Sequence, residues 1–263
     1  MSDTSTIRVD RPAPAVAQVS LARPEVRNAF NEAVIAELTA AFRALDADDT
    51  VRVVVLAGDG KAFCAGADLN WMRRMADYSR EENLADAAAL AEMLRTIAAC
   101  RKPTIARVHG DAYAGGMGLV AACDIAVAAE GVEFCLSEVK LGLIPATIAP
   151  YVARAMGANA AQRYFLTAER FDAATARAIG YVHEVAPAAA LDASVQHFVD
   201  AFLAASPEAL ASCKQLLREV IDRPIDATLI GRTAEMIADA RVSPDGRHGV
   251  LSFLGKTRPR WQG

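Results

Sequence analysis

The stretch DAYAGGMGLVAACD, residues 111–124, joins a glycine-rich turn to an apolar helix and carries no charged side chain between Asp111 and Asp124. Before it, PTIARVHG (103–110) reads as a buried strand, so the order is strand, loop, helix. A turn of glycine and alanine lets a ligand approach the backbone. The free N–H groups of a helix N-terminus, with the positive end of the helix dipole, favour an anion or a developing oxyanion. Gly118 falls inside the helix, where glycine costs about 1 kcal/mol relative to alanine, so it needs a reason of its own.

The same pattern occurs upstream. VRVVVLA (51–57) is a continuous β-branched run of the kind buried on both faces; the loop GDGKAFCAGAD (58–68) and a helix from about Leu69 follow it. AVAQVSL (15–21) alternates like a half-buried strand and leads through the turn ARPEVRNAFN into an amphipathic helix over 31–47. DIAVAA (124–129) and EFCL (133–136) read as short strands before helices around 147–167 and 172–180. Beyond about Ala190 the pattern is wholly helical, with breaks at Pro207, Pro224 and SPDG (243–246). We expect an α/β core over 1–190 and a helical region over 191–263, with no flexible linker between them.

Composition narrows the function. With 53% hydrophobic and 23% charged residues the 263-residue chain reads as globular, and a net charge of −4 without runs of like charge disfavours nucleic acid as a partner. The five cysteines (64, 100, 123, 135 and 213) lack C-x-x-C spacing, which argues against a disulfide framework or a zinc site; no metal is expected. No apolar run reaches the roughly 18–20 residues of a membrane span, and the first ten residues lack a secretion signal, so a cytoplasmic location is expected.

The two loops, FCAGAD (63–68) and AYAGGMG (112–118), can together offer two backbone donors to one oxygen. Neither is a phosphate loop of the G-x-x-x-x-G-K-[ST] or G-x-G-x-x-G type. Taken alone, they are equally read as tight turns and close helix packing.

Three blocks in order, KAFCAGADLNWM, KPTIARVHGDAYAGGMGLVAACDIAVA and FCLSEVKLGLIP, resemble the signature of the enoyl-CoA hydratase/isomerase (crotonase) superfamily. The similarity runs from RPEVRNAFN near the start to FLGKTRPRW near the end. The resemblance implies a crotonase-like spiral of ββα units that polarises an acyl-CoA carbonyl between two backbone N–H groups, which map to Ala67 and Gly115. It implies CoA contacts from the backbone around Cys64, Ala65, Ala67 and Leu69, a basic group at Lys256 near CoA phosphate, and a homotrimer or dimer of trimers. Coenzyme A belongs to the substrate, and no separate cofactor is implied.

Hydratases of this family generally use two glutamates. The second corresponds to Glu138; the first falls on Gly118, so this chain departs from the pattern. One carboxylate is the arrangement of Δ3,Δ2-enoyl-CoA isomerases, whereas the extra aspartate of dienoyl-CoA isomerases would fall near Ala146. Yet the stretches 66–97 and 134–152 look most like bacterial 3-methylglutaconyl-CoA hydratases and related hydratases of acyclic-terpene catabolism. We expect a hydratase using Glu138 as its main proton carrier, with an isomerase and a non-catalytic acyl-CoA-binding protein as alternatives. Tyr113, Tyr78 and Glu82 are candidates for a second polar group, and Arg73 and Arg74 for pairing with a substrate carboxylate. His109, His183, His197, His248 and Asp124 read as structural.

Overall fold

The computed structural model describes residues 5–262. β1 (Ile7–Ala13) and β2 (Val16–Leu21) form an antiparallel hairpin, and α1 (Glu32–Ala47) follows, capped by Asn31, whose side chain accepts from the Val34 N–H. The next turn of chain is β3 (Val53–Gly58), α2 (Leu69–Met75) and α3 (Arg80–Ala99). Then come β4 (Thr104–Val108), β5 (Ala112–Tyr113) and α4 (Gly115–Ala122), and after them β6 (Ile125–Ala129), β7 (Glu133–Cys135) and α5 (Ala149–Thr167). β8 (Phe171–Asp172), α6 (Ala173–Ala178) and β9 (Glu184–Ala186) complete the sheets, and α7 (Leu191–Leu203), α8 (Pro207–Val220), α9 (Ala227–Val242) and α10 (Pro244–Leu254) end the chain.

The large sheet has the order β1-β2-β3-β4-β6-β9, parallel from β2 onward, and the small one the order β5-β7-β8. The chain therefore spirals: a strand of the large sheet, a short strand of the small sheet, then a helix. β3 is buried along Val53–Ala57, as its unbroken apolar run predicts, and α4, which is apolar all round, is buried from Gly116 to Val120. α7 belongs to the same core through Leu191, Val195 and Val199, whereas α8, α9 and α10 bury Leu229 alone among their large apolar residues. Among the described residues no helix is long and apolar enough to cross a membrane.

Where the reading of the sequence fell short, the missed elements carry weak periodicity. β1 is an edge strand with mostly exposed side chains, and β5, β8 and β9 are two or three residues long. The break expected at SPDG falls between α9 and α10, where Ser243 ends one helix and caps the next, its hydroxyl accepting from the Gly246 N–H at 3.0 Å.

The exit from β2 is held by Asn28, buried and at φ 56°, a left-handed conformation that asparagine tolerates better than most residues. Its amide donates to the carbonyls of Asp59 (2.7 Å) and Ala62 (2.9 Å), and its Oδ1 accepts from the Arg23 N–H at 3.0 Å. Asn28→Ala leaves these groups unpartnered and strains the backbone, so unfolding free energy falls by about 2–4 kcal/mol in urea titration. A loss below about 0.5 kcal/mol, the size of an ordinary surface substitution, contradicts this role.

Candidate active site

Three segments leave the small sheet side by side. Cys64 bridges Ala112 in parallel, and Ala112 pairs with Phe134 in parallel across β5 and β7. Ala67 lies three residues beyond Cys64, Gly115 three beyond Ala112, and Glu138 four beyond Phe134. Paired strands are about 4.8 Å apart, so the pairing brings the two loops and the glutamate to one edge at the carboxyl ends of the strands.

The two loops touch. Gly66 sits at φ +91°, and a Cβ there would lie 3.1 Å from Ala114 Cβ and 3.2 Å from the Tyr113 carbonyl oxygen. Backbone bonds flank Ala67 without using it: the Phe30 N–H donates to the Gly66 carbonyl and the Asp68 N–H to the Phe30 carbonyl, both at 2.9 Å. Among the described residues, the N–H groups of Ala67 and Gly115 donate to no protein acceptor. Gly115 is the first residue of α4, and Ala114 before it stands at φ 48°, ψ −124°, a costly backbone state for alanine that aims the helix start. The dipole of a buried helix therefore ends at one of two free donors. That arrangement stabilises negative charge on a single oxygen.

Glu138 opens a 3-10 turn, Glu138–Leu141, with exposed Val139, Leu141, Leu143 and Ile144 after it. Its Oε2 is buried and without a hydrogen-bond partner. Burial raises its carboxyl above the usual 4.5, opposed only by its own backbone N–H. A half-buried carboxyl free of any cation is suited to holding and passing a proton.

Gly118 is explained by packing. It is buried in α4, and a Cβ at this position would overlap Ile148 Cγ2 and stand 3.5 Å from Leu94 Cδ2. The place of a first glutamate is thus filled by Ile148, the residue preceding α5.

The other candidates for a second polar group are engaged. The Tyr113 hydroxyl bonds with Asp111 (3.1 Å) and Glu133 (3.3 Å), and its ring carries Arg170 at 5.5 Å; burial, with Asp111, pushes its pKa up to about 12. Glu82 forms the capping box of α3 with Ser79, and Tyr78 lies beside Arg74. Arg74 itself is paired with Glu32, while Arg73 donates to Asn70 on an exposed face of α2.

Of the expected binding residues, Cys64 is fully buried and its thiol is pushed to about 12, so it contributes backbone rather than thiolate chemistry. Ala65 is half-buried and Leu69 is 69% exposed at the start of α2. Lys256 is exposed after α10, which packs against α8 and α9. Asp124 accepts from Thr104 and from Lys214 at 2.5 Å, and His183 Nδ1 accepts from the Ala126 N–H, both structural roles.

The sequence reading passed over the residues that fix loop one. Arg23 pairs with Asp68 at 2.9 Å and donates to the Ala29 carbonyl, and Asp68 caps α2 through the Asn70 and Trp71 N–H groups. Burial works against the Asp68 carboxylate, but these bonds outweigh it and hold the pKa below its usual value. The D before LNW was a readable cap; its partner Arg23, 45 residues earlier, was not.

Restoring a glutamate at position 118 does not restore a second acid. Gly118→Glu forces Ile148 aside and lowers unfolding free energy by about 1–3 kcal/mol, the usual cost of overpacking, with no gain in turnover; a variant that melts with the wild type contradicts this.

Residues 12–263 match the enoyl-CoA hydratase/isomerase family. The chain is 36% identical over 249 residues to an Alternaria alternata enoyl-CoA hydratase, covering 93% of this chain and 80% of the relative. It is 30% identical over 246 residues to the 2,3-dehydroadipyl-CoA hydratase of Escherichia coli K12, covering 93% and 94%. Its fold superposes on the crystal structure of an enoyl-CoA hydratase from Shewanella pealeana with a TM-score of 0.94 at 44% identity, covering 97% of this chain and 96% of that one. Free amides at the ends of adjoining parallel segments are thus set in a crotonase fold matched along nearly its whole length, and the protein belongs to the enoyl-CoA hydratase/isomerase family of enzymes.

Proposed function

We propose that the enzyme adds water to a 2-enoyl-CoA, with Ala67 and Gly115 N–H groups holding the thioester oxygen and Glu138 carrying the proton. The unpartnered Oε2 of Glu138, on a segment paired alongside the loops that carry two unpartnered amides, is the observation that supports this reading most strongly. Water oxygen bonds to C3, the double-bond electrons move into a C2–C1 enolate, and both donors strengthen as charge grows on the oxygen. The Glu138 carboxylic acid gives its proton to C2 and takes one from the attacking water, so the acid is regenerated. Each amide contributes about two to three powers of ten in rate by the usual measure of such donors.

Coenzyme A lies, in this reading, along the backbone of Cys64, Ala65 and Ala67 beside Leu69, and Lys256 meets its phosphate from a neighbouring subunit. The apolar side chains exposed on α10 and at its end, Val250, Leu251, Phe253 and Leu254, fit a homotrimer or a dimer of trimers in the cytoplasm. A monomer mass by light scattering overturns that assembly.

A second reading rests on the sealed Gly118 position. With one carboxylate, Glu138 can start ionised, remove a proton from C2 of a 3-enoyl-CoA and return it at C4, which is isomerisation. Assays with 2-enoyl and 3-enoyl substrates separate the two reactions, and turnover of neither leaves a non-catalytic acyl-CoA-binding protein.

For the acyl group we propose a branched, carboxylated chain of the 3-methylglutaconyl type, consumed in the breakdown of leucine or terpenoids. Exposed Arg73 after loop one and the carboxylated substrate in the name of the E. coli relative support it. kcat/KM for 3-methylglutaconyl-CoA should exceed that for crotonyl-CoA; the reverse order removes the carboxylate from the reading.

Glu138→Gln keeps the size and removes the titrating proton. Turnover should fall by about 10²- to 10⁴-fold, the range for one acid–base group, while acyl-CoA still binds in calorimetry. Near-full activity of the variant on every enoyl-CoA tested shows that the proton is moved by another group.

A further inference from the structure

Phe30 touches both donor loops, one through its backbone and the other through its ring, and neither the reaction nor the binding of CoA has been assigned to it. It is 2% exposed. Its backbone pairs with loop one on both sides of Ala67, by the Phe30 N–H to Gly66 and the Asp68 N–H to Phe30. In strand-like pairing consecutive residues point their amides to opposite sides, so this bridge turns the Ala67 N–H away from Phe30 and leaves it free. The ring reaches the other loop. A Cβ at Gly115 would fall on Phe30 Cζ, which means the ring edge lies directly against the backbone that carries the second donor.

The ring is itself fixed. It stands 5.8 Å from the Trp71 ring at 56°, and Trp71 is held by its Nε1–H bond to Asp86 at 3.1 Å. Trp71 also lies in α2, whose N-cap Asp68 follows Ala67 directly. Loop one, α2 and the start of α4 are therefore braced on one ring.

We infer that Phe30 is a positioning residue that sets the spacing of the Ala67 and Gly115 donors, through its backbone on one and its ring on the other. This rests on the two-donor reading of the site. Phe30→Leu keeps the backbone bridge and an apolar side chain but withdraws the ring from Gly115. A displacement of about 1 Å at a catalytic group is enough to cost about 100-fold in rate.

The test uses the full-length enzyme and a probe that reads the donors directly. Acetoacetyl-CoA can bind as its enolate, which carries on its oxygen the charge the two amides receive, and the enolate has its own ultraviolet band. With Phe30→Leu we expect kcat to fall by about 10- to 100-fold and the bound enolate fraction to drop, while affinity for CoA and the far-ultraviolet circular dichroism stay at wild-type values. Gly115→Ala adds a Cβ against the ring in the wild type, and its loss of activity should shrink in the Phe30→Leu background. The two substitutions are then non-additive.

Equal kcat and equal enolate uptake in Phe30→Leu, or a double variant whose losses simply multiply, overturns the inference. So does a fall in activity that only follows the fraction unfolded, since bracing of the fold alone predicts that. If the wild type takes up the enolate but turns over no 2-enoyl-CoA, the hydratase reading fails while the enolate comparison still decides the role of Phe30. A wild type that takes up no enolate overturns both.

Discussion

Among the described residues the amides of Ala67 and Gly115 have no protein acceptor, and much of the fold around them is arranged so that they stay that way. An unpaired amide is costly to bury, so the chain must hold each one at an edge where a ligand oxygen can reach it. Parallel pairing of Cys64, Ala112 and Phe134 sends three segments out at the same edge. The spiral of strand, short strand and helix repeats the exit, and each repeat delivers a different piece: a free amide at Ala67, a free amide at the start of α4, and the carboxyl of Glu138.

The same constraint accounts for the residues around the site. Gly66 must be glycine both for its φ of +91° and for its contact with Ala114. Ala114 holds a strained conformation that turns α4 toward the opening, which is where strain tends to be kept in enzymes. Asp68, Arg23 and Asn28 tie loop one to the chain leaving β2, and Phe30 bears on both loops. Beyond this donor pair in the three adjoining segments, Glu138 supplies a half-buried carboxyl whose Oε2 has no hydrogen-bond partner. Its raised pKa has a cost. A carboxyl raised on folding adds stability that is complete below about pH 4.5 and is lost as pH rises through the folded value, so the ionised form destabilises the native state at neutral pH.

Much of this was legible in the residues. β-branched runs located β3 and β4, and the small-residue loops marked two stretches open to a ligand; read alone these were equally tight turns, and the resemblance alone put the donors on Ala67 and Gly115. Glu138 could be placed only through the resemblance, since a lone glutamate after serine is an ordinary surface residue by pattern. Gly118 could be read as a missing acid but not as a filled site. Its neighbours Ile148 and Leu94 come from elements about 24 to 30 residues away, and no local pattern reports such a contact. Tyr113 stayed open as an acid for the same reason, since its partners Glu133 and Arg170 come from distant segments, whereas the Ser79–Glu82 capping box is a local S-x-x-E pattern that the reading passed over.

In the proposed reaction one protonated carboxyl and two amides carry the hydration, with no second acid or base. The dependence of kcat on pH tests it most directly. A single essential acid gives a plateau at low pH and one descending limb as the Glu138 carboxyl ionises above its usual range, with no ascending limb on the acid side above about pH 4, where ordinary carboxylates titrate. A bell-shaped profile, in which activity also requires a second group to lose its proton, contradicts the account and calls for another base in the site.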